Sequence, residues 1–106
     1  MSQWQEFIRL KAGERKIKWT RYALGAIGVE PATVHDVEVA LQEATVLEEY
    51  PVLHRYLPDC LVLTFTHSGQ PFHCVVACNQ PADMILIVTV YQPNRQEWED
   101  DWRTRK

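Results

Sequence analysis

CLVLTFTHSGQPFHCVVAC, residues 60–78, is the stretch on which the fold turns. Two apolar runs rich in β-branched and aromatic residues flank a Ser68-Gly69 pair, the pattern of an antiparallel hairpin. A two-residue turn there sets Phe65 opposite Phe72, Leu63 opposite Cys74 and Leu61 opposite Val76. Side chains alternate along a strand, so these six apolar residues share a face, the predicted core. The other face then carries Thr66, Thr64 opposite His73, Val62 opposite Val75, and Cys60 opposite Ala77.

Outward from the hairpin, VLEEYP (46–51) and MILIVTVYQP (84–93) read as outer strands, about 45–50 and 84–91. Asn79–Asp83 supplies turn formers for a second hairpin connection. Leu86, Val88 and Val90 form the purely aliphatic set of the last strand and are assigned to the core. Pairing Val88 with Cys74 sets Thr89 opposite His73. The outer face then holds a row Thr64–His73–Thr89, with Tyr91 one step along. Pro51 and Pro58 bracket a loop containing His54, Arg55 and Tyr56.

The helices come first in the chain. Ser2 can cap a helix over about residues 3–12, whose Trp4, Phe7, Ile8 and Lys11 recur at helical spacing, with Gly13 as its end. Ile17 and Trp19 alternate with lysines in a short extended stretch. Thr20 caps a predicted helix at 21–27, stopped at Gly28. Thr33 with Asp36 at N3 forms a variant capping box for a helix at about 33–43. After Pro93, NRQEWEDDW suggests a short C-terminal helix capped by Asn94, with Trp98 and Trp102 packed together on its inner side. The expected fold is one α+β domain over residues 1–106. N-terminal helices pack on one face of a four-stranded, mainly antiparallel sheet, followed by the short C-terminal helix.

Composition narrows the functional classes. No apolar run approaches a membrane span and no signal-peptide pattern opens the chain, so a cytoplasmic protein is expected. Three cysteines, two of them inside strand patterns, read as reduced apolar residues. Net charge is −3, but residues 1–22 hold six basic and two acidic side chains while the rest is acidic. That basic arm, with Lys16, Lys18 and Arg21, is a candidate site for RNA phosphates, although a solvated helix face has the same composition.

The row around His73 is the one arrangement that suggests chemistry. A histidine titrates near neutrality and can act as base or acid, with hydroxyls orienting it. The plainer alternative is a cross-strand Thr–His–Thr ladder on a half-exposed sheet. Glu48 and Tyr50 share a parity on the first long strand, where they serve an acid–base site or protect a sheet edge. His73 and Cys74 point to opposite faces, so no metal or other cofactor is expected.

The ordered phrases DVEVAL, VLEEYP, CLVLTF, GQPFHCVVAC and ILIVTVYQP, with Trp98 behind them, resemble a small bacterial family of unknown function, DUF4258. The resemblance spans about residues 16–102. It implies a RelE-like toxin fold, RNA cleavage as the activity, and a zinc-finger antitoxin encoded nearby as partner. The matching polar positions are Glu48, Tyr50, His73, Thr89 and Tyr91. The implied catalytic set is His73 as base or acid, Tyr91 as phosphate donor or second acid, Thr89 orienting His73, and Glu48. Lys18 or Arg21 would supply positive charge. The chain departs from the family at Tyr22-Ala23, where a His-Ala pair is usual, and at Ala26 and Glu30, where arginines are expected. The alternatives are a noncatalytic RelE-like binding module docking a protein partner, or a regulatory homodimer.

Overall fold

Thr33 accepts a hydrogen bond from the Asp36 backbone while the Asp36 carboxylate accepts one from the Thr33 backbone, and this reciprocal cap starts one of the helices as the sequence suggests. The computed structural model describes residues 3–50 and 57–106. Its elements, in chain order, are α1 (Gln3–Gly13), β1 (Ile17–Trp19), α2 (Arg21–Ile27), α3 (Val34–Ala40), β2 (Thr45–Tyr50), β3 (Asp59–Phe65), β4 (Pro71–Asn79) and β5 (Met84–Tyr91). A 3₁₀ turn, Leu41–Glu43, extends α3. Thr20 caps α2 by accepting from the Ala23 N–H. The Ser2 cap and the loop residues His54, Arg55 and Tyr56 lie outside the described residues.

The α+β class is as expected, but the sheet has five strands and is mixed. Its order is β1-β5-β4-β3-β2, with β1 parallel to β5 and the other pairs antiparallel. The extended stretch at Ile17–Trp19 is thus a sheet strand, joined to a partner far along the chain. Helices cover one face. Ile8, Ala23, Ile27, Val37 and Leu41 pack there against Val62, Phe72, Cys74, Val76, Ile85, Ile87 and Val90. Cys60, Cys74 and Cys78 are free thiols inside this core.

The β3–β4 register departs from the expected one. Leu63 pairs with His73, Thr64 with Phe72 and Phe65 with Pro71. Thr66 pairs its backbone with Gln70, leaving the three-residue loop His67-Ser68-Gly69 with Gly69 left-handed at φ +86°. A three-residue hairpin of this kind shifts the pairing by one residue relative to a two-residue turn. The shift reverses β3. Cys60, Val62 and Thr64 face the helices, and Thr64 donates to the Ala40 carbonyl. Leu61, Leu63 and Phe65 face the opposite side. Leu61 and Leu63 are buried there, while Phe65 is half exposed.

β5 also differs. Cys74 pairs with Val90 and Val75 with Thr89, and a bulge at Val88 follows. The bulge switches the parity of the core set, so Ile85, Ile87 and Val90 are buried in place of Leu86 and Val88.

No C-terminal helix forms. The Asn94 carboxamide instead caps a turn through the N–H groups of Gln96 and Glu97. The Asp101 carboxylate accepts from the N–H groups of Arg103 and Thr104 and from the Thr104 hydroxyl. Trp98 pairs with Arg105 across a small hairpin, and Trp102 adopts φ +61°. Three consecutive acids, Glu99–Asp101, would sit at the negative end of a helix dipole, while both Asn94 and Asp101 can satisfy turns.

Candidate functional site

Strand alternation puts His73 on the sheet face away from the helices, where it is fully buried. Its cross-strand partners are Leu63 and Tyr91. Burial arises from the tail: the Trp98 ring meets the imidazole edge to face at 4.3 Å, with an interplanar angle of 85°. The backbone of Trp102 completes the cover. The His73 Nε2–H donates to the Trp102 carbonyl at 2.7 Å, which fixes the tautomer in the neutral ring. Nδ1 then accepts from the Tyr91 hydroxyl at 3.4 Å, a long bond.

The site continues to the sheet edge. A bulge between Val46 and Glu48 sets Glu48 opposite Leu61, on the His73 side of the sheet. The Glu48 carboxylate accepts two hydrogen bonds from the Arg105 guanidinium, at 2.9 and 3.2 Å, and one from the Tyr50 hydroxyl at 2.6 Å. Arg105 in turn lies over the Trp98 ring at 4.6 Å. A continuous chain of contacts therefore runs from Tyr50 through Glu48, Arg105 and Trp98 to His73 and Tyr91.

The electrostatics follow from these contacts. Burial holds the His73 pKa below its usual value, with the Trp102 hydrogen bond opposing the shift and the Arg105 charge adding to it. Arg105 and Tyr50 hold the Glu48 carboxyl below the ordinary range. The Tyr50 phenol is pushed up to about 12, first by burial and then by its bond to Glu48. Burial also raises Tyr91. Near neutrality the cluster therefore offers a neutral imidazole, two phenols and an ion pair.

His73, Tyr91 and Glu48 meet as candidates through residues that motif reading missed as site residues: Arg105, Trp98 and Trp102. The signal for Trp98 was its place behind VTVYQP, but Arg105 had none. Thr89 shares the outer face yet pairs with Val75, so it is no cross-strand neighbour of His73. Thr64 is on the helix side. The proposed Thr64–His73–Thr89 row is replaced by Leu63–His73–Tyr91.

The basic residues lie at the opposite sheet edge. Lys16 bonds Asp83 at 2.6 Å, a carboxylate it shares with Lys11. Lys18 and Arg21 are exposed. Ile17 and Trp19 pack toward the helices, so Lys18 projects on the same sheet face as His73. A separate groove of about 630 Å³ runs between α3 and the end of β3, with His35, Val39, Phe65 and His67 in its wall. It lies away from His73. Among the described residues no group of three or more His, Cys, Asp or Glu side chains is placed to hold a metal ion. No helix there is long and apolar enough to cross a membrane.

No curated protein and no solved structure matches the chain. A family model described as a domain of unknown function, DUF4258, matches residues 33–92, more than half of the chain. That span holds Glu48, His73, Thr89 and Tyr91 and stops short of Trp98 and Arg105. By this match, the chain belongs to the DUF4258 family.

Proposed function

We propose that the chain is a RelE-like, metal-independent endoribonuclease toxin of a bacterial toxin–antitoxin pair, acting in the cytoplasm and held by a zinc-finger antitoxin. The reading is supported by one observation above all: an imidazole, a phenol and a guanidinium converge on the outer sheet face around His73, Tyr91 and Arg105. Cleavage of RNA by its own 2′-hydroxyl needs those three functions. With its ring proton moved to Nδ1, where the Tyr91 oxygen can accept it, His73 takes the 2′-OH proton at Nε2 as the 2′-oxygen bonds to phosphorus. Tyr91 gives a proton to the 5′-oxygen as the P–O5′ bond breaks, leaving a 2′,3′-cyclic phosphate and a 5′-hydroxyl. Arg105, oriented by Glu48, balances charge on the phosphorane; Lys18, on the same face, guides the strand, with Arg21 close by at the start of α2. A single positioned base supplies about 10²–10⁴-fold.

The second reading, a noncatalytic module or dimer that docks a protein, is favoured by the zero exposure of His73 and by Tyr22, Ala26 and Glu30 in α2 and just after it, where the family resemblance leads one to expect histidine and arginines. Incubating purified protein with single-stranded RNA decides between them. The ribonuclease reading expects cyclic-phosphate products that fall at least about 10²-fold in His73→Gln. Equal cleavage by wild type and His73→Gln would remove His73 from the mechanism. No cleavage by the wild type or by a variant with its tail loosened would leave the docking module.

A further inference from the structure

We propose that residues 99–106 are a self-inhibitory strap that closes the His73 site, and that its opening is what admits a ligand. The inference rests on the ribonuclease reading for the identity of that ligand, an RNA phosphodiester. The covering itself rests on geometry alone. Trp98 is buried and anchors the start of the tail. Beyond it, the fastenings are of another kind. They are the Trp102 carbonyl on Nε2 of His73, the Arg105–Glu48 pair, the solvent-edge stacking of Arg105 on Trp98 and of Arg95 on Trp102, and the internal bonds of the hairpin.

The Arg105 and Glu48 side chains keep 56% and 34% of their surface exposed, and pairs that wet contribute little to holding a segment down. Glu99, Asp100, Asp101, Arg103 and Thr104 are all exposed, and Trp102 is only part-buried, so the apolar surface the strap covers comes from part of one ring. Trp102 is held at φ +61°, a conformation that side-chain-bearing residues adopt reluctantly. A strained, wet hairpin therefore holds the ring proton on Nε2, the nitrogen that a substrate hydroxyl would need unprotonated. It also holds the nearest cation against Glu48. Peeling it back from Trp98 onward frees Nε2 and Arg105 together, leaving Tyr91 and Trp98 in place.

The Asp101 carboxylate organises the strap through three hydrogen bonds and touches none of the site residues. Asp101→Ala loosens the hairpin without altering His73, Tyr91, Arg105 or Glu48. The readout is solvent exchange of the His73 Nε2 proton by NMR, alongside cleavage of single-stranded RNA by the same full-length samples. Loss of such a cap is expected to speed exchange about fivefold and to raise cleavage by a similar factor. Thr104→Val, which removes one of the three bonds, should give a smaller change in the same direction. Exchange in Asp101→Ala equal to wild type overturns the strap. So does faster exchange when both proteins cleave RNA at the same measurable rate. Faster exchange with no cleavage by either supports the cover over His73 and overturns the ribonuclease reading.

Discussion

His73 carries a pH signature whatever its function. Burial depresses its folded pKa, so the unfolded chain binds its proton more readily than the folded one. The associated stability is complete above the unfolded value of about 6.5 and is lost as pH falls through the depressed folded value. Thermal melts should therefore show a drop in Tm between about pH 7 and pH 5, before the carboxylates titrate. His73→Gln should flatten this portion of the profile. The Glu48 contribution, from a depressed carboxyl, disappears at lower pH and should remain in that variant. An identical slope above pH 5 in wild type and His73→Gln would mean that the imidazole is not held neutral by the fold.

At the scale of elements, the β3–β4 hairpin shows how one loop residue redistributes a whole face. Gly69 sits at φ +86° with open space around the position of a Cβ, so Gly69→Ala meets only the backbone penalty. That should lower stability by about 1 kcal/mol, seen as a smaller urea midpoint with an unchanged m value. Thr33→Ala, which removes half of the reciprocal cap on α3, should cost about 1 kcal/mol by the same measurement. Helix starts were legible because Thr20, Thr33 and Asp36 act on backbone within three residues of themselves. The hairpin register was not, since Ser68-Gly69 suits a two-residue turn and His67-Ser68-Gly69 suits a three-residue one. The bulge at Val88 was hidden because β5 is apolar on both parities. The tail misled through Trp98 and Trp102, whose helical spacing instead serves a hairpin, with Trp98 on His73 and Trp102 facing Arg95 at 5.5 Å. Strand parity was enough to put His73 and Tyr91 on one face. Glu48 came in through the family resemblance and reaches that face by a bulge, and Arg105 arrives from the tail with no local pattern to announce it.

Over the whole molecule, the described residues form two packed layers on the sheet, one of helices and one much thinner. The second consists of Trp98 and its hairpin over His73, beside buried Leu61 and Leu63 on the same face. Trp98→Ala should therefore destabilise the protein by about 3–5 kcal/mol, a core-sized effect from a residue outside the helical core. Urea unfolding measures it, and a loss below about 1 kcal/mol would show that the tail adds cover but little stability.

β1 adds a different kind of constraint. Residues 17–19 have no sheet partner until 85–87 are present, and the Lys16 carbonyl and the Thr20 N–H are bonded by Ile85 and Ile87. During synthesis the first strand and α2 thus leave the ribosome long before the strand that receives them. The early third of the chain must wait with its apolar faces uncovered, where chaperones can find it. Closure between such distant segments also places the protein among the slower folders for its size. Its final shape is set late, when β5 slots between β1 and β4 and joins the two ends of the sheet.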